Sequence, residues 1–323
     1  MKQFLSVHDV SNIDALIDKG LDYKRDPLKD KNLGAGKRAG LLFFNPSMRT
    51  RMSTQIAARN LGMESIVLNM GTEGWSLEFT DGAIMNGTTV EHVKDAAPIL
   101  GAFFDIICLR TFPKLLSRED DEADIAIHAL VKYSGVPVVS LESATLHPLQ
   151  SLADLMTIRE DFKPSVAKPR PKVVMTWAPH IKPIPHCVGN SFAQWMNAWG
   201  EADFVIANPV GYDLSRKYTG NAPVLHDQRE ALKDADFVYV KNWSAVGQTP
   251  EQYGKILGGH SDWMLMQNSF SKPETKVMHC LPLRRNVEMS DEVLDSPRSL
   301  LTTMGKNRIW SAQAVLSEIL KEV

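Results

Sequence analysis

Phe43-Phe44-Asn45-Pro46-Ser47-Met48-Arg49-Thr50-Arg51 decides how this chain reads. The apolar run Gly40–Phe44 predicts a strand that ends in a short turn. The turn opens a helix, about Thr50 to Leu61, which Gly62 can stop in the left-handed conformation. Ser47 and Thr50 stand where hydroxyls cap a helix, and Arg49 and Arg51 bring fixed positive charge to the same end. A helix N-terminus offers free N–H groups and the positive end of its dipole. With hydroxyls and guanidinium forks added, the turn suits a phosphate dianion.

Around that turn the bulk properties are those of a soluble globular chain. At 323 residues it suits two domains of about 150 residues each. The net charge of −2 gives no sign of a nucleic-acid surface. No apolar run approaches the length of about 18 residues that a membrane span needs. The N-terminus Met1–Asp9 reads as free of a signal peptide. Three cysteines, Cys108, Cys187 and Cys280, lack metal-ligand spacing, and their odd number fits a reducing cytoplasm.

Strand and helix patterns alternate throughout, which predicts an α/β fold with parallel sheets flanked by helices. Strands are expected at Gly40–Phe44, Ser65–Leu68, Asp105–Leu109 and Pro137–Leu141. A second set is expected at Lys172–Trp177, Asp203–Ala207, Asp236–Val240 and Val277–His279. Asp121–Tyr133 and Pro148–Phe162 read as helices. The proline-rich Lys163–Pro171 reads as a loop before a second sheet. The domain change is expected between Leu146 and Pro171, giving a first domain of residues 1–147 and a second of 148–307. The final helix, about Arg308–Lys321, has one apolar face made by Ile309, Ala312, Val315, Leu316, Ile319 and Leu320.

In open parallel sheets, ligands bind beyond the carboxyl ends of the strands. The unusual polar residues collect there: Arg49, Arg110, Glu142, His147, His180, Lys241, His279 and Cys280. Drawn from both halves, they predict a positively lined cleft between two domains.

Two further stretches complete a pattern. They are His147-Pro148-Leu149-Gln150 and His279-Cys280-Leu281-Pro282-Leu283-Arg284-Arg285-Asn286. With Ser47-Met48-Arg49-Thr50-Arg51 and in this order, they resemble the signatures of the transcarbamylases over essentially the full length. The resemblance implies two α/β domains, with residues 308–323 packed back on the first. It implies carbamoyl transfer from carbamoyl phosphate to an amine without metal or nucleotide cofactor. By this likeness Ser47, Met48, Arg49 and Thr50 bind the phosphate. Arg110 and His147 reach the carbonyl oxygen. Gln150 holds the carbamoyl NH2, and Cys280, Leu281 and Arg308 serve the carbamoyl group and its developing charge. Trp75, in a polar stretch, belongs to a loop that crosses to the next subunit in the family. A homotrimer with sites at its interfaces is therefore implied.

The acceptor is read from what the second half carries. The Asp and Ser-Met-Gly motif of ornithine users is absent where Lys241-Asn242-Trp243-Ser244-Ala245 stands, and the cationic loops of aspartate users do not match either. Thr176-Trp177-Ala178-Pro179-His180 and Leu283-Arg284-Arg285-Asn286 resemble the N-acylornithine branch, which serves arginine biosynthesis. There Glu142, His180, Lys241 and Arg284, with Cys280 and Leu281, hold an ornithine whose α-nitrogen is blocked. Acetyl users carry Glu where Val90 precedes Glu91-His92. A carboxylate there would repel a succinyl carboxylate, and valine would not. Succinyl users often have proline at that position. Pro179–Pro185 and Asn190–Met196 also look like the succinyl type. N-succinyl-L-ornithine is the acceptor implied, with N-acetyl-L-ornithine the alternative.

Rival readings are weaker. Gly34-Ala35-Gly36-Lys37-Arg38 lacks the spacing of a P-loop and precedes its strand. A non-catalytic binder of carbamoyl phosphate would keep the phosphate turn but would not need Arg110, His147, Gln150 and Cys280-Leu281 together.

Overall fold

The computed structural model describes residues 1–247 and 249–323. They divide into two compact units. The first is Met1–Lys114, Glu119–Leu149 and Arg308–Val323; the second is Leu115–Arg118 and Gln150–Asn307.

The first unit holds α1 (Ile13–Arg25), β1 (Arg38–Phe43), α2 (Met48–Asn60), β2 (Glu64–Asn69), β3 (Leu77–Glu78), β4 (Glu91–His92), α3 (Val93–Phe103), β5 (Ile106–Arg110), α4 (Arg118–Ala123) from Glu119 onward, α5 (Ile125–Tyr133) and β6 (Val138–Glu142). Its main sheet runs β2-β1-β5-β6, all parallel. Every residue of β5 and β6 is buried, as expected for parallel strands covered on both faces. Leu42, Ile107 and Leu109 pack with Val93 and Ala97 of α3 and Ile127 and Leu130 of α5. Each buried Leu, Ile or Val here stabilises the unit by about 1.5–3 kcal/mol. Register brings three strand ends together: Phe43 pairs with Arg110, and Arg110 with Glu142. A register shift at Leu109/Arg110 re-aims this end of the pairing.

The boundary between the units falls inside α6 (Pro148–Asp161), after Leu149. The second unit continues with β7 (Lys172–Trp177), α7 (Cys187–Trp199), β8 (Asp203–Ala207), α8 (Arg216–Thr219), β9 (Val224–Leu225), α9 (Gln228–Leu232), β10 (Phe237–Lys241), β11 (Lys276–Met278) and α10 (Asp291–Leu294). Its sheet is parallel in the order β11-β10-β7-β8-β9. Aromatic rings fill its core: Phe192 stacks on Tyr239 at 4.1 Å, and Trp177 lies 4.8 Å from Tyr212.

Two predicted helices need correction. Residues 121–133 are two helices, because Asp124 is left-handed at φ 45° between α4 and α5. The final helix, α11 (Leu301–Leu320), starts earlier than Arg308, since Leu301 and Met304 extend its buried face. From Arg308 onward it belongs to the first unit, where Gln313 accepts from Asn60 at 2.9 Å and donates to the Pro27 carbonyl at 2.7 Å. No helix among the described residues is long and apolar enough to cross a membrane.

Candidate active site

In the first unit the turn after β1 opens α2 at Met48, earlier than the Thr50 expected. Ser47 is the cap: its Oγ accepts the Thr50 N–H at 3.3 Å. Thr50 is not a cap but a buried second anchor, whose Oγ1 accepts from the Arg308 guanidinium. Gly62 ends the helix at φ 83°, where an added Cβ would meet the Lys31 carbonyl oxygen at 2.3 Å. The first-turn N–H groups of α2 have no intrahelical partner. Beside them the Arg49 Nε is buried with no hydrogen-bond partner.

Arg110, Glu142 and His147 are buried together at the ends of β5 and β6. Glu142 Oε2 accepts from the Arg110 guanidinium and lies 3.3 Å from His147 Nε2. Phe112 lies under the guanidinium, 4.5 Å from it. Glu142 would favour a charged imidazole, but burial first, then Arg308 and Arg110, push the His147 pKa well below the ordinary histidine value. His147 is therefore neutral, with one N–H to give. Its Nδ1 and the Arg110 Nε are buried without partners. The guanidinium groups of Arg110 and Arg308 bear on His147, Arg49 stands in the first turn of α2, and the Glu142 carboxylate pairs with Arg110. That balance suits a dianion.

Asp124 holds this arrangement and carries no local signal that would reveal it. Its carboxylate accepts the Ala144 N–H at 3.1 Å, the Thr145 N–H at 3.3 Å, the Thr145 hydroxyl at 2.8 Å and the Ser143 hydroxyl. These bonds shape the loop that leads from Glu142 to His147.

Trp75 and Val90 sit next to the paired strands β3 and β4. Trp75 Nε1 donates to Glu91 at 2.7 Å, and the Val90 N–H donates to the Ser76 carbonyl at 2.9 Å. Trp75 stays 56% exposed and Val90 63%. The segment thus presents a tryptophan and a valine outward instead of burying them.

In the second unit Gln150 is buried, and its Nε2 donates to Asp154 Oδ1 at 2.8 Å. Its Oε1 has no partner. The Tyr239 hydroxyl lies against Asp154 and Cys280. Burial, then those two neighbours, push its pKa well above the ordinary phenol value, so it stays protonated.

Cys280 and Leu281 follow β11. Leu281 is left-handed at φ 55°, and its N–H donates to His279 Nδ1 at 2.8 Å. That N–H is therefore committed within the chain. With Nδ1 accepting, His279 carries its proton on Nε2, 3.4 Å from Glu288 Oε1. Glu288 is buried, and its other oxygen accepts the Arg284 N–H at 2.6 Å. Burial raises the Glu288 pKa, but His279 and then Lys241 outweigh it and hold the carboxyl below its usual value. The Lys241 ammonium is buried and donates to the Asn242 carbonyl at 2.9 Å. His180 Nδ1 lies 2.9 Å from the Lys182 carbonyl oxygen. Its pKa is lowered, first by burial; Lys182 and Glu288 oppose this, and Lys241 and Arg284 add to it. His180, Lys241, Arg284 and Glu288 thus share one electrostatic neighbourhood.

A guanidinium-rich helix start in one parallel α/β unit and a group of cationic side chains at strand ends of the other suit a phosphate and a second anionic ligand. The comparisons give the family. Residues 2–160 match the description "Aspartate/ornithine carbamoyltransferase, carbamoyl-P binding domain", and residues 188–319 match "Aspartate/ornithine carbamoyltransferase, Asp/Orn binding domain". The chain belongs to the aspartate/ornithine carbamoyltransferase family and is a carbamoyltransferase. It is 44% identical to the N-succinylornithine carbamoyltransferase of Bacteroides fragilis (strain 638R), covering 100% of both chains. It is 33% identical to the N-acetylornithine carbamoyltransferase of Xanthomonas axonopodis pv. citri (strain 306), over 100% of this chain and 97% of that one. Among solved structures, it is similar to a glutamate-to-valine mutant of N-acetyl-L-ornithine transcarbamylase complexed with carbamyl phosphate and N-succinyl-L-norvaline. That likeness has a TM-score of 0.88 and 32% identity, covering 99% of this chain and 100% of that chain.

Proposed function

We propose that this chain moves the carbamoyl group of carbamoyl phosphate to the δ-amine of N-succinyl-L-ornithine, in arginine biosynthesis. The products are N-succinyl-L-citrulline and phosphate. The observation that carries the transfer chemistry is the buried cluster of Arg110, Glu142, His147, Arg308 and Thr50 beside the capped start of α2. In this reading Ser47, Met48, Arg49 and Thr50 hold the phosphate through N–H groups and the Arg49 fork. Arg110, neutral His147 and Arg308 polarise the carbonyl. Gln150 and the Cys280-Leu281 carbonyls fix the carbamoyl NH2. The δ-amine nitrogen bonds to the carbonyl carbon, the carbon–oxygen bond to phosphate breaks, and the amine proton passes to the departing phosphate. The first unit is thus the donor domain, with residues 308–323, and the second is the acceptor domain.

His180, Lys241 and Arg284 receive the acylornithine, a cation pairing with its carboxylate, and Glu142 takes part from the donor domain. Val90 is the residue that admits succinyl. We take the glutamate replaced by valine in the solved acetylornithine enzyme to stand at the place of Val90. That variant was solved with a succinyl ligand, and the 44% likeness to a succinylornithine enzyme exceeds the 33% likeness to an acetylornithine enzyme. We further propose a cytoplasmic homotrimer in which Trp75 reaches the neighbouring copy's site. Exposed Met48, Met52 and Ile56, one helical turn apart along α2, and exposed Trp75 and Ile84 support such an interface. The free cysteines suit a reducing compartment.

Side-by-side assays with ornithine, N-acetylornithine and N-succinylornithine test the acceptor. The reading expects turnover of the succinyl compound above the other two. Turnover of the acetyl compound alone would overturn the acyl assignment and keep the donor chemistry. Turnover of ornithine alone would overturn the reading of the acceptor pocket.

A further inference from the structure

The acid Asp154 is fully buried in the middle of α6. Burying a carboxyl group there is costly unless it is well partnered. One turn earlier on the same helix stands Gln150, whose Nε2 donates to Asp154 Oδ1 at 2.8 Å. That bond fixes which way the amide faces. Turning the amide over would set Gln150 Oε1 against a carboxyl oxygen, acceptor against acceptor. Held this way, Oε1 points away from Asp154, and it is a buried acceptor with no protein hydrogen-bond partner. The Tyr239 hydroxyl is an electrostatic neighbour of this carboxyl and of the Cys280 side chain.

We infer that Asp154 is a positioning residue for carbamoyl transfer. It locks the Gln150 amide with its oxygen presented as an acceptor for the donor's NH2 group. This inference rests on the proposed role of Gln150. Asp154 itself touches no reacting atom. The role accounts for a carboxyl group in a helix interior where packing alone would favour an aliphatic side chain.

A double-mutant cycle with Gln150→Ala and Asp154→Leu tests it. Steady-state kinetics would be read with carbamoyl phosphate, and inorganic phosphate would serve as a competitive inhibitor. Asp154→Leu alone is expected to lower kcat/KM for carbamoyl phosphate by about 10- to 100-fold, the factor of a hydrogen bond to a charged group. In the Gln150→Ala background the same change is expected to cost less than about threefold, the sign of two residues acting as one unit. The phosphate inhibition constant is expected to hold within about twofold, because phosphate lacks the NH2 group that the amide reads. Multiplied losses in the double variant would overturn the proposal, as would a phosphate constant that weakens in step with activity. Those results would make Asp154 a packing residue. If Gln150→Ala itself cost nothing, the assigned role of Gln150 would fall, and the inference with it. If Asp154→Leu does not fold, Asp154→Asn carries the same cycle, since it keeps the volume but confuses donor and acceptor.

Discussion

The two units place charge at the ends of parallel strands in different ways. In the first, the groups sit on regular elements: Ser47 caps α2, Arg110 and Glu142 end paired strands, and His147 precedes α6. In the second, Lys241 also ends a strand, but His180, His279 and Arg284 hang from loops, and one buried acid organises the last two. Glu288 fixes the Arg284 N–H and lies beside His279, which in turn accepts from Leu281. A phosphate dianion has fixed shape and charge, so a rigid cradle serves it well. An acylated amino acid differs from its relatives only at its edges, and loops are where such differences are read.

Removing the carbonyl-polarising groups should have the largest effect. His147→Ala is expected to lower kcat by roughly 100- to 1,000-fold, the usual loss of one transition-state hydrogen-bond donor. Single-turnover measurement would check it. A protein that only binds carbamoyl phosphate would have no turnover to lose.

The acceptor side should break differently. Lys241→Gln is expected to raise KM for N-succinylornithine by about 10- to 100-fold, as when a charged hydrogen bond is lost, with inhibition by inorganic phosphate unchanged. Equal weakening of both ligands would erase the division of labour between the units.

Val90→Glu sharpens the acyl reading. A carboxylate near the succinyl carboxylate should lower the succinyl-to-acetyl ratio of kcat/KM by about tenfold, through like-charge repulsion. An unchanged ratio would remove Val90 from the acceptor's surroundings.

The smallest effect concerns pH. Folded His147 resists protonation, whereas an unfolded histidine takes up a proton near pH 6.5. Below that pH the unfolded chain binds more protons, so stability falls as pH drops. His147→Asn should flatten this loss by up to about 1.4 kcal/mol per pH unit, visible in melts between pH 7 and 5. Parallel curves for both proteins would contradict the neutral, buried assignment.

The same contrast explains what could be read from sequence. The Ser47–Arg51 turn was legible because capping, charge and strand-to-helix periodicity act locally. The α/β alternation was legible for the same reason. The break at Asp124 was not. Arg118, Glu119, Glu122 and Ala123 are good helix formers, and contacts from Asp124 to Ser143, Ala144 and Thr145 hold the turn there. Asp154 and Glu288 were missed because a lone acid carries no sign of burial in its neighbours. The true start of α11 at Leu301 was hidden by reading its apolar face from Ile309 onward.

Calorimetric titration of inorganic phosphate into the unaltered protein, Arg49→Gln and Lys241→Gln tests the central division most directly. Arg49→Gln is expected to weaken phosphate binding by about tenfold or more, as for a lost charged contact, and Lys241→Gln to leave it unchanged. Phosphate affinity that depends on Lys241 and ignores Arg49 would contradict the division.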